Sequence, residues 1–368
     1  MDTILIAGAG QVGSTIAHLL ARTTKYEVIL ADCQLLQINP NLRHLPHLQF
    51  QQIDLTNAAD VTRLIENKKI QAVLSALPYF CNQQIAQIAY DNQIHYFDLT
   101  EDIAVTAFVQ QLAQNSQKAS VPQCGLAPGF VNIIANDLMR DVNELETVKI
   151  RCGALPMHVS NELKYAFTWS VDGLLNEYNK PCPSIENGEI VMQQPLENVE
   201  NVQIDGLSYE AFNTSGGLGS LPQTYVGRVE SLTYKSIRYP GHRDRIRFLM
   251  NDLKLRYDMD TLKSILLNAI PFTIDDVVII YISVIGKMKD RLVRRTFVNK
   301  YYGEKINNID YTALQITTAA TACAVLHIVL SHPEKYAGYI RQEQFTLNEV
   351  LQGPFGTYLK VKHEKKHS

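Results

Sequence analysis

Residues 3–13 read Thr-Ile-Leu-Ile-Ala-Gly-Ala-Gly-Gln-Val-Gly, so an apolar run stops on three glycines spaced G-x-G-x-x-G, and a helical pattern follows through Ile16, Leu19 and Leu20. Strand, tight turn and helix in that order constrain the chain more than any other stretch. Gly8 permits the sharp turn, Gly10 lets backbone approach a pyrophosphate with no Cβ in the way, and Gly13 lets the helix pack close to its strand. Phosphates then rest on the unpaired amides of the helix N-terminus, around Gln11 and Val12. A second apolar run, 27–31, closes with Asp32, which lies 19 residues past Gly13. A carboxylate there accepts hydrogen bonds from a ribose diol and repels a 2′-phosphate, so NAD is expected in preference to NADP. No arginine follows Asp32 closely enough to reverse that choice.

Beyond Asp32 the pattern alternates. Strands are expected at 48–53, 72–75, 94–97 and 121–124, and helices at 60–65, 82–90 and 105–113. Such alternation predicts an α/β fold with a doubly wound parallel sheet. Ligands bind beyond the carboxyl ends of the strands in these sheets, so the residues after each strand are the site candidates. Asp54 and Leu55 suit the adenine edge; Ala76, Leu77 and Pro78 suit the central ribose and phosphates. Asp98 and Glu101 follow the fifth strand, and Cys124 opens the stiff loop Gly125-Leu-Ala-Pro-Gly129, where a nicotinamide would lie.

At 368 residues the chain exceeds one ordinary domain. With 46% hydrophobic and 19% charged residues it can build sizeable cores, and a net charge of −3 argues against a nucleic-acid partner. The start carries Asp2 and no basic run, so no signal peptide is expected. The longest apolar stretch, 313–330, holds three threonines and a glutamine, which predicts a buried helix rather than a membrane span. Six cysteines without a C-x-x-C pair fit free thiols in a reducing compartment, so a cytoplasmic protein is expected and the sequon at Asn213 is expected to stay unmodified. No metal site is expected. The H-e-x-x-H match at 363–367 sits in a lysine-rich end rather than a packed helix, and His44 and His47 lack partners.

After a helix from 131 to about 139 the composition shifts. Residues 147–305 read as a mixed domain with strands such as 147–152 and 276–284, and with polar loops at 180–205 and 215–222.

Four segments in this order resemble the saccharopine dehydrogenase family: Gly125–Asn132 (Gly-Leu-Ala-Pro-Gly-Phe-Val-Asn), Tyr165–Tyr178 (Tyr-Ala-Phe-Thr-Trp-Ser-Val-Asp-Gly-Leu-Leu-Asn-Glu-Tyr), Gly219–Thr224 (Gly-Ser-Leu-Pro-Gln-Thr) and Ile237–His242 (Ile-Arg-Tyr-Pro-Gly-His). The resemblance runs to about residue 355 and is nearest to the short lysine 6-dehydrogenase branch. It implies oxidation of a carbon–nitrogen bond of an amino acid with hydride passing to NAD(P), and hydrolysis or cyclisation of the product imine. It also implies that a nucleotide domain of 1–130 is completed by 306–368, that 131–305 is an inserted α+β domain for substrate and oligomerisation, and that the protein forms a homodimer or homotetramer. Two departures stand out. Gln223 replaces an expected acid in the Leu-Pro-x-Thr turn, and Ala127 stands where saccharopine reductases more often carry Asp.

Hydride transfer from an amine needs a base for the ammonium proton and a cation for the substrate carboxylate. Asp98 either takes that role or caps the next helix, and Glu101 is its substitute or an exposed first-turn acid. Cys124 either touches nicotinamide or substrate, as the resemblance implies, or simply packs. Arg238 is the candidate for carboxylate binding and His242 for proton transfer, by guanidinium geometry and imidazole titration. Tyr165, Thr168 and Trp169 are candidates for the pocket wall, and Tyr79 for a contact near the nicotinamide by resemblance. Two rivals stay open. Reductive condensation of the carboxynorspermidine or saccharopine reductase type predicts several cations in the cleft, with Lys164, Arg228 and Arg243 as candidates; an NAD-binding sensor without turnover predicts that Asp98 and His242 are dispensable.

Overall fold

The computed structural model describes residues 1–35 and 38–361, so the histidine pair of 363–367 and the basic end lie outside the described residues. Strand β1 (Asp2–Ala7) buries Ile4 to Ala7 completely, because a central parallel strand is covered on both faces. Gly8 follows at φ +106°, a conformation that a side chain disfavours. Helix α1 (Gln11–Arg22) then starts so close to the turn that a Cβ on Gly13 would sit 1.9 Å from the Gly8 carbonyl oxygen.

The chain continues through β2 (Tyr26–Asp32), β3 (Leu48–Gln52), α2 (Ala58–Lys68), β4 (Ala72–Ser75), α3 (Asn82–Asp91), β5 (His95–Asp98), α4 (Ile103–Leu112) and β6 (Ala119–Val121). All pair in parallel in the order β6-β5-β4-β1-β2-β3, the arrangement of a dinucleotide-binding sheet. The sixth strand ends earlier than the sequence pattern predicts. Pro122 has no N–H to donate to a ladder, so residues 122–124 leave the sheet and enter the loop.

Past α5 (Phe130–Met139), a second sheet forms from β7 (Glu144–Pro156), β8 (Cys182–Glu186), β9 (Glu189–Gln193), β10 (Glu200–Ile204), β11 (Leu207–Phe212), β12 (Val229–Arg238), β13 (Asp276–Met288) and β14 (Arg291–Tyr302). Its order is β10-β11-β12-β7-β13-β14, with the β8–β9 hairpin attached to β12. Only β12 and β7 run parallel. Between β7 and β8 lies helix α6 (Val171–Asn179). The stretch 180–205, expected as loop, instead holds three strands. Asn187 and Gly188, at φ +52° and +80°, close the β8–β9 hairpin, and Asp205 and Gly206, at +51° and +77°, close β10–β11. Paired left-handed residues of this kind match the twist of a two-residue hairpin.

The chain finally returns to the first sheet. The helix Ala313–Ser331 packs on α1, with Cys323 against the Ile16 carbonyl, and the strand Gly338–Tyr339 pairs in parallel with β6. By length and composition that helix could cross a membrane, but 83% of its apolar window is buried inside the protein. Asp276, at the start of β13, caps it from the other sheet by accepting the amides of Ala313 (2.5 Å) and Leu314 (3.1 Å).

Candidate active site

The carboxyl ends of β1 and β4 face β7 and β12 across a cavity of about 510 Å³, a size that suits a cofactor head and a small substrate. Its nucleotide side is Gly10, Gln11, Val12 and the run Ala76–Tyr79. A Cβ placed on Gly10 would meet no protein atom within 4 Å, so the turn presents bare backbone to open space. Asp32 braces this turn. Its Oδ2 accepts the Ala9 amide (2.7 Å), and Oδ1 accepts the Gln34 amide (3.1 Å). These features fit a dinucleotide, with Gly10, Gln11 and Val12 on its phosphates and Asp32 on its ribose. Asp54 is exposed and accepts both the amide and the hydroxyl of Thr56, while Leu55 is buried in the core; neither lines the cavity.

The opposite wall comes from β7, β12 and the segment 169–177. Gly173 makes room for the Trp169 ring, since a Cβ there would lie 2.4 Å from it. Asp172 pairs with Lys263 at 2.7 Å, and Asn176 hydrogen-bonds the Glu101 carboxyl. Glu177 enters the cavity together with Arg238 at the end of β12. The sequence reading passed over Glu177, although Ser170, Gly173 and Glu177 recur at helical spacing and all three line the cavity. That stripe of small residues ending on an acid was the available signal.

Charge distribution separates this site from an ordinary cleft. Burial raises the Glu177 carboxyl to about 8 against the pull of Arg238, and the nearby Glu101 adds to the rise. Burial likewise raises Glu101 to about 7, with Asp102 contributing, and its Oε1 is enclosed without a hydrogen-bond partner. Burial alone would weaken the charge on Arg238, but Tyr178, Tyr165 and Glu177 around it hold the guanidinium protonated. Arg238 is the one Lys or Arg among the described lining residues, and it shares the cavity with Glu101, Glu177 and the Lys263-paired Asp172.

Tyr79, Glu101, Trp169 and Arg238 thus line one cavity, whereas Asp98, Cys124, His242, Tyr165 and the buried Thr168 do not. Asp98 is fully buried, and its oxygens are taken by the Tyr96 hydroxyl (2.8 Å) and the amides of Thr100 (2.9 Å) and Gln123 (3.0 Å), so it ties β5 to the loop after β6. Cys124 is buried, with its thiol on the Val121 carbonyl and its pKa raised by burial, the reverse of a reactive thiolate. His242 is enclosed by Tyr165, Tyr178 and Phe212, both ring nitrogens are engaged, and burial lowers its pKa to about 3. Tyr165 lies behind the wall, its ring 5.3 Å beneath the Arg238 guanidinium. Lys164, Arg228 and Arg243 are also off the cavity.

Comparison with known proteins agrees with this geometry. A family model for the saccharopine dehydrogenase NADP binding domain matches residues 4–124, and one for the saccharopine dehydrogenase C-terminal domain matches 125–362. The chain belongs to the saccharopine dehydrogenase family. A mitochondrial alpha-aminoadipic semialdehyde synthase of Mus musculus is 25% identical over 259 residues, covering 65% of this chain and 27% of the mouse protein. Saccharopine dehydrogenase [NADP(+), L-glutamate-forming] of Schizosaccharomyces pombe is 19% identical over 261 residues, covering 68% and 58%. The chain therefore spans about a quarter and somewhat over half of these relatives. The apo histidine-tagged saccharopine dehydrogenase (L-Glu forming) from Saccharomyces cerevisiae shares the fold at a TM-score of 0.74 and 15% identity, over 95% of each chain. The first domain of this family member is one that binds a nicotinamide dinucleotide.

Proposed function

We propose that this protein is an NAD-preferring dehydrogenase that oxidises the C–N bond of an amino acid bearing a second amine and a single carboxylate, with lysine the first compound to try. The observation that supports this reading is the cavity's charge: one guanidinium facing the carboxyls of Glu101 and Glu177, while the third lining acid, Asp172, is already paired with Lys263. Saccharopine and similar condensation products carry several carboxylates, and each beyond the first would be desolvated among acids without a cation to pair it. Arg238 takes the substrate carboxylate, while Glu101 and Glu177 receive the ammonium end. A bound nicotinamide dinucleotide supplies the hydride acceptor. The proton that must leave the ammonium goes to whichever of the two carboxyls is ionised, and burial keeps both near the pH at which such transfer works.

The preference for NAD rests on Asp32 and runs against the wording of the matching family and of the fission-yeast relative, both of which name NADP. The cation folded back on the loop after β2 is Arg43, whose guanidinium donates to the Leu35 carbonyl (3.2 Å). The test is the appearance of reduced nicotinamide with purified protein, NAD or NADP, and lysine, ornithine, saccharopine and polyamines. Turnover of lysine or ornithine with NAD is expected. Turnover confined to saccharopine overturns the charge argument, turnover confined to NADP overturns the Asp32 argument, and cofactor binding with no turnover of any amine favours the sensor reading.

A further inference from the structure

Arg238 does not reach the cavity unaided. Its Nε donates to the Tyr178 hydroxyl (3.0 Å), and its Nη1 donates to its neighbour's carbonyl at Ile237 (2.8 Å). The Tyr178 hydroxyl is 3.0 Å from His242 Nε2, and His242 Nδ1 is 2.8 Å from the Leu163 carbonyl oxygen. All three side chains are at most 4% exposed, so water does not complete these contacts.

The direction of every bond in this chain is forced. The Leu163 carbonyl can only accept, so Nδ1 of His242 carries a proton and donates it. The imidazole is neutral, since burial beside Arg238 opposes a second charge, and Nε2 is therefore an acceptor. The one proton on Nε2's partner, the Tyr178 hydroxyl, points at the imidazole, which leaves the phenol oxygen's lone pairs turned to Arg238. A guanidinium has donors only, so an oxygen whose proton is committed elsewhere is its best neutral partner. Rings enforce the same aim: Tyr165 lies 5.3 Å and Tyr178 5.9 Å from the guanidinium carbon.

We propose that Tyr178 and His242 are positioning residues, a one-way hydrogen-bond relay from the Leu163 carbonyl that orients the Arg238 guanidinium for a single carboxylate. This rests on the reading of Arg238 given above, but it assigns the histidine a different task from the proton transfer that imidazole chemistry suggests. Glu177 and Tyr178 then divide the work of adjacent positions on α6, one lining the cavity and the other holding the cation from behind.

Two measurements on the full chain test it. In side-chain nitrogen NMR, with the signal assigned by its loss in His242→Gln, His242 should show Nδ1 protonated and Nε2 bare from pH 5 to pH 8. Tyr178→Phe should shift the Nε2 resonance toward that of a free acceptor. An Nε2-protonated tautomer, or protonation of His242 within that range, overturns the relay whether or not any amine turns over. In steady-state kinetics, Tyr178→Phe should raise KM for the amino acid by roughly tenfold or more, the scale of a lost hydrogen bond to a charge. It should leave kcat within about threefold and leave KM for the decarboxylated amine unmoved, since that amine never meets Arg238 through a carboxylate. His242→Phe should reproduce this pattern, and His242→Gln, which keeps one donor and one acceptor, should restore much of the affinity. Equal KM rises for amino acid and amine would mean a merely structural role and overturn the proposal. A wild-type protein that turns over no amine would instead refute the dehydrogenase reading, and the NMR outcome would still decide the relay.

Discussion

Glu177 and Glu101 are the residues whose chemistry the fold changes most. Both bind a proton more tightly in the folded protein than a free glutamic acid does, so the sign for stability follows directly. Their contribution to stability is fully present below about pH 4.5, where the unfolded carboxyls also hold protons, and it is lost as pH rises through about 7 and 8. Glu177→Gln should therefore flatten the fall in melting temperature between pH 5 and pH 8.5, and a fall as steep as wild type would count against the raised pKa. In catalysis the sign is opposite, because only the ionised form accepts a proton. The kcat/KM for amine oxidation should climb toward pH 8 and level off above it. The Glu177→Gln variant should lose that climb and roughly a hundred- to ten-thousandfold in rate. An unchanged pH profile would move the base to Glu101. At this scale the sequence was a partial guide. Glu101 was legible from its position after a strand, whereas Arg238, Trp169 and Tyr79 came to notice through the family resemblance; all four line the cavity. Asp98 and His242 misled because the same types, once their atoms are engaged by Tyr96 or Tyr178, lose their usual chemistry, and burial is not written in a local pattern.

At the scale of elements, glycines do two separable jobs in the first turn. A Cβ on Gly13 collides with the Gly8 carbonyl, whereas one on Gly10 enters open space from a backbone at φ −67°, which alanine accepts. Gly10→Ala should thus keep the melting temperature within a degree or so and weaken dinucleotide binding, while Gly13→Ala should lower both. Calorimetric titration beside a thermal scan checks this, and a folded Gly13→Ala that binds normally would refute the packing argument. Periodicity showed these elements because β1 and its neighbours are covered on both faces and read as unbroken apolar runs. It failed over 180–205, where the strands are short, β8 carries Pro183, and β9 and β10 are largely uncovered. The turn chemistry was legible there all the same: Asn187-Gly188 and Asp205-Gly206 are strong hairpin signals. A Cβ on Gly188 meets nothing within 4 Å, so Gly188→Ala isolates backbone strain and should cost about 1–2 kcal/mol. Denaturant unfolding would read that loss directly.

Across the whole molecule, the two sheets are joined by more than the passage of the chain. The loop that follows β11 docks on α5, where Asn132 Nδ2 donates to the Leu218 carbonyl (2.7 Å). Ser220 donates to Glu343 (2.8 Å), whose burial raises its pKa. The Gly-Ser-Leu-Pro-Gln-Thr segment, read from sequence as a family mark, thus works as a clasp and does not line the cavity. Asp276 is the opposite clasp, reaching from β13 to the first amides of the helix Ala313–Ser331, where a carboxylate also meets the positive end of the helix dipole. Leu314 and Thr318 on that helix line the cavity, so the clasp holds a wall of the site as well as a domain junction. Removing a helix cap costs about 0.5–2 kcal/mol. Asp276→Ala should accordingly lower the melting temperature in one cooperative transition and weaken dinucleotide binding with it, while Asp276→Asn, which still offers one acceptor, should lose less of both. If calorimetry of Asp276→Ala instead resolved two transitions, with the nucleotide-binding one unmoved, the helix would owe its position to packing on α1 alone.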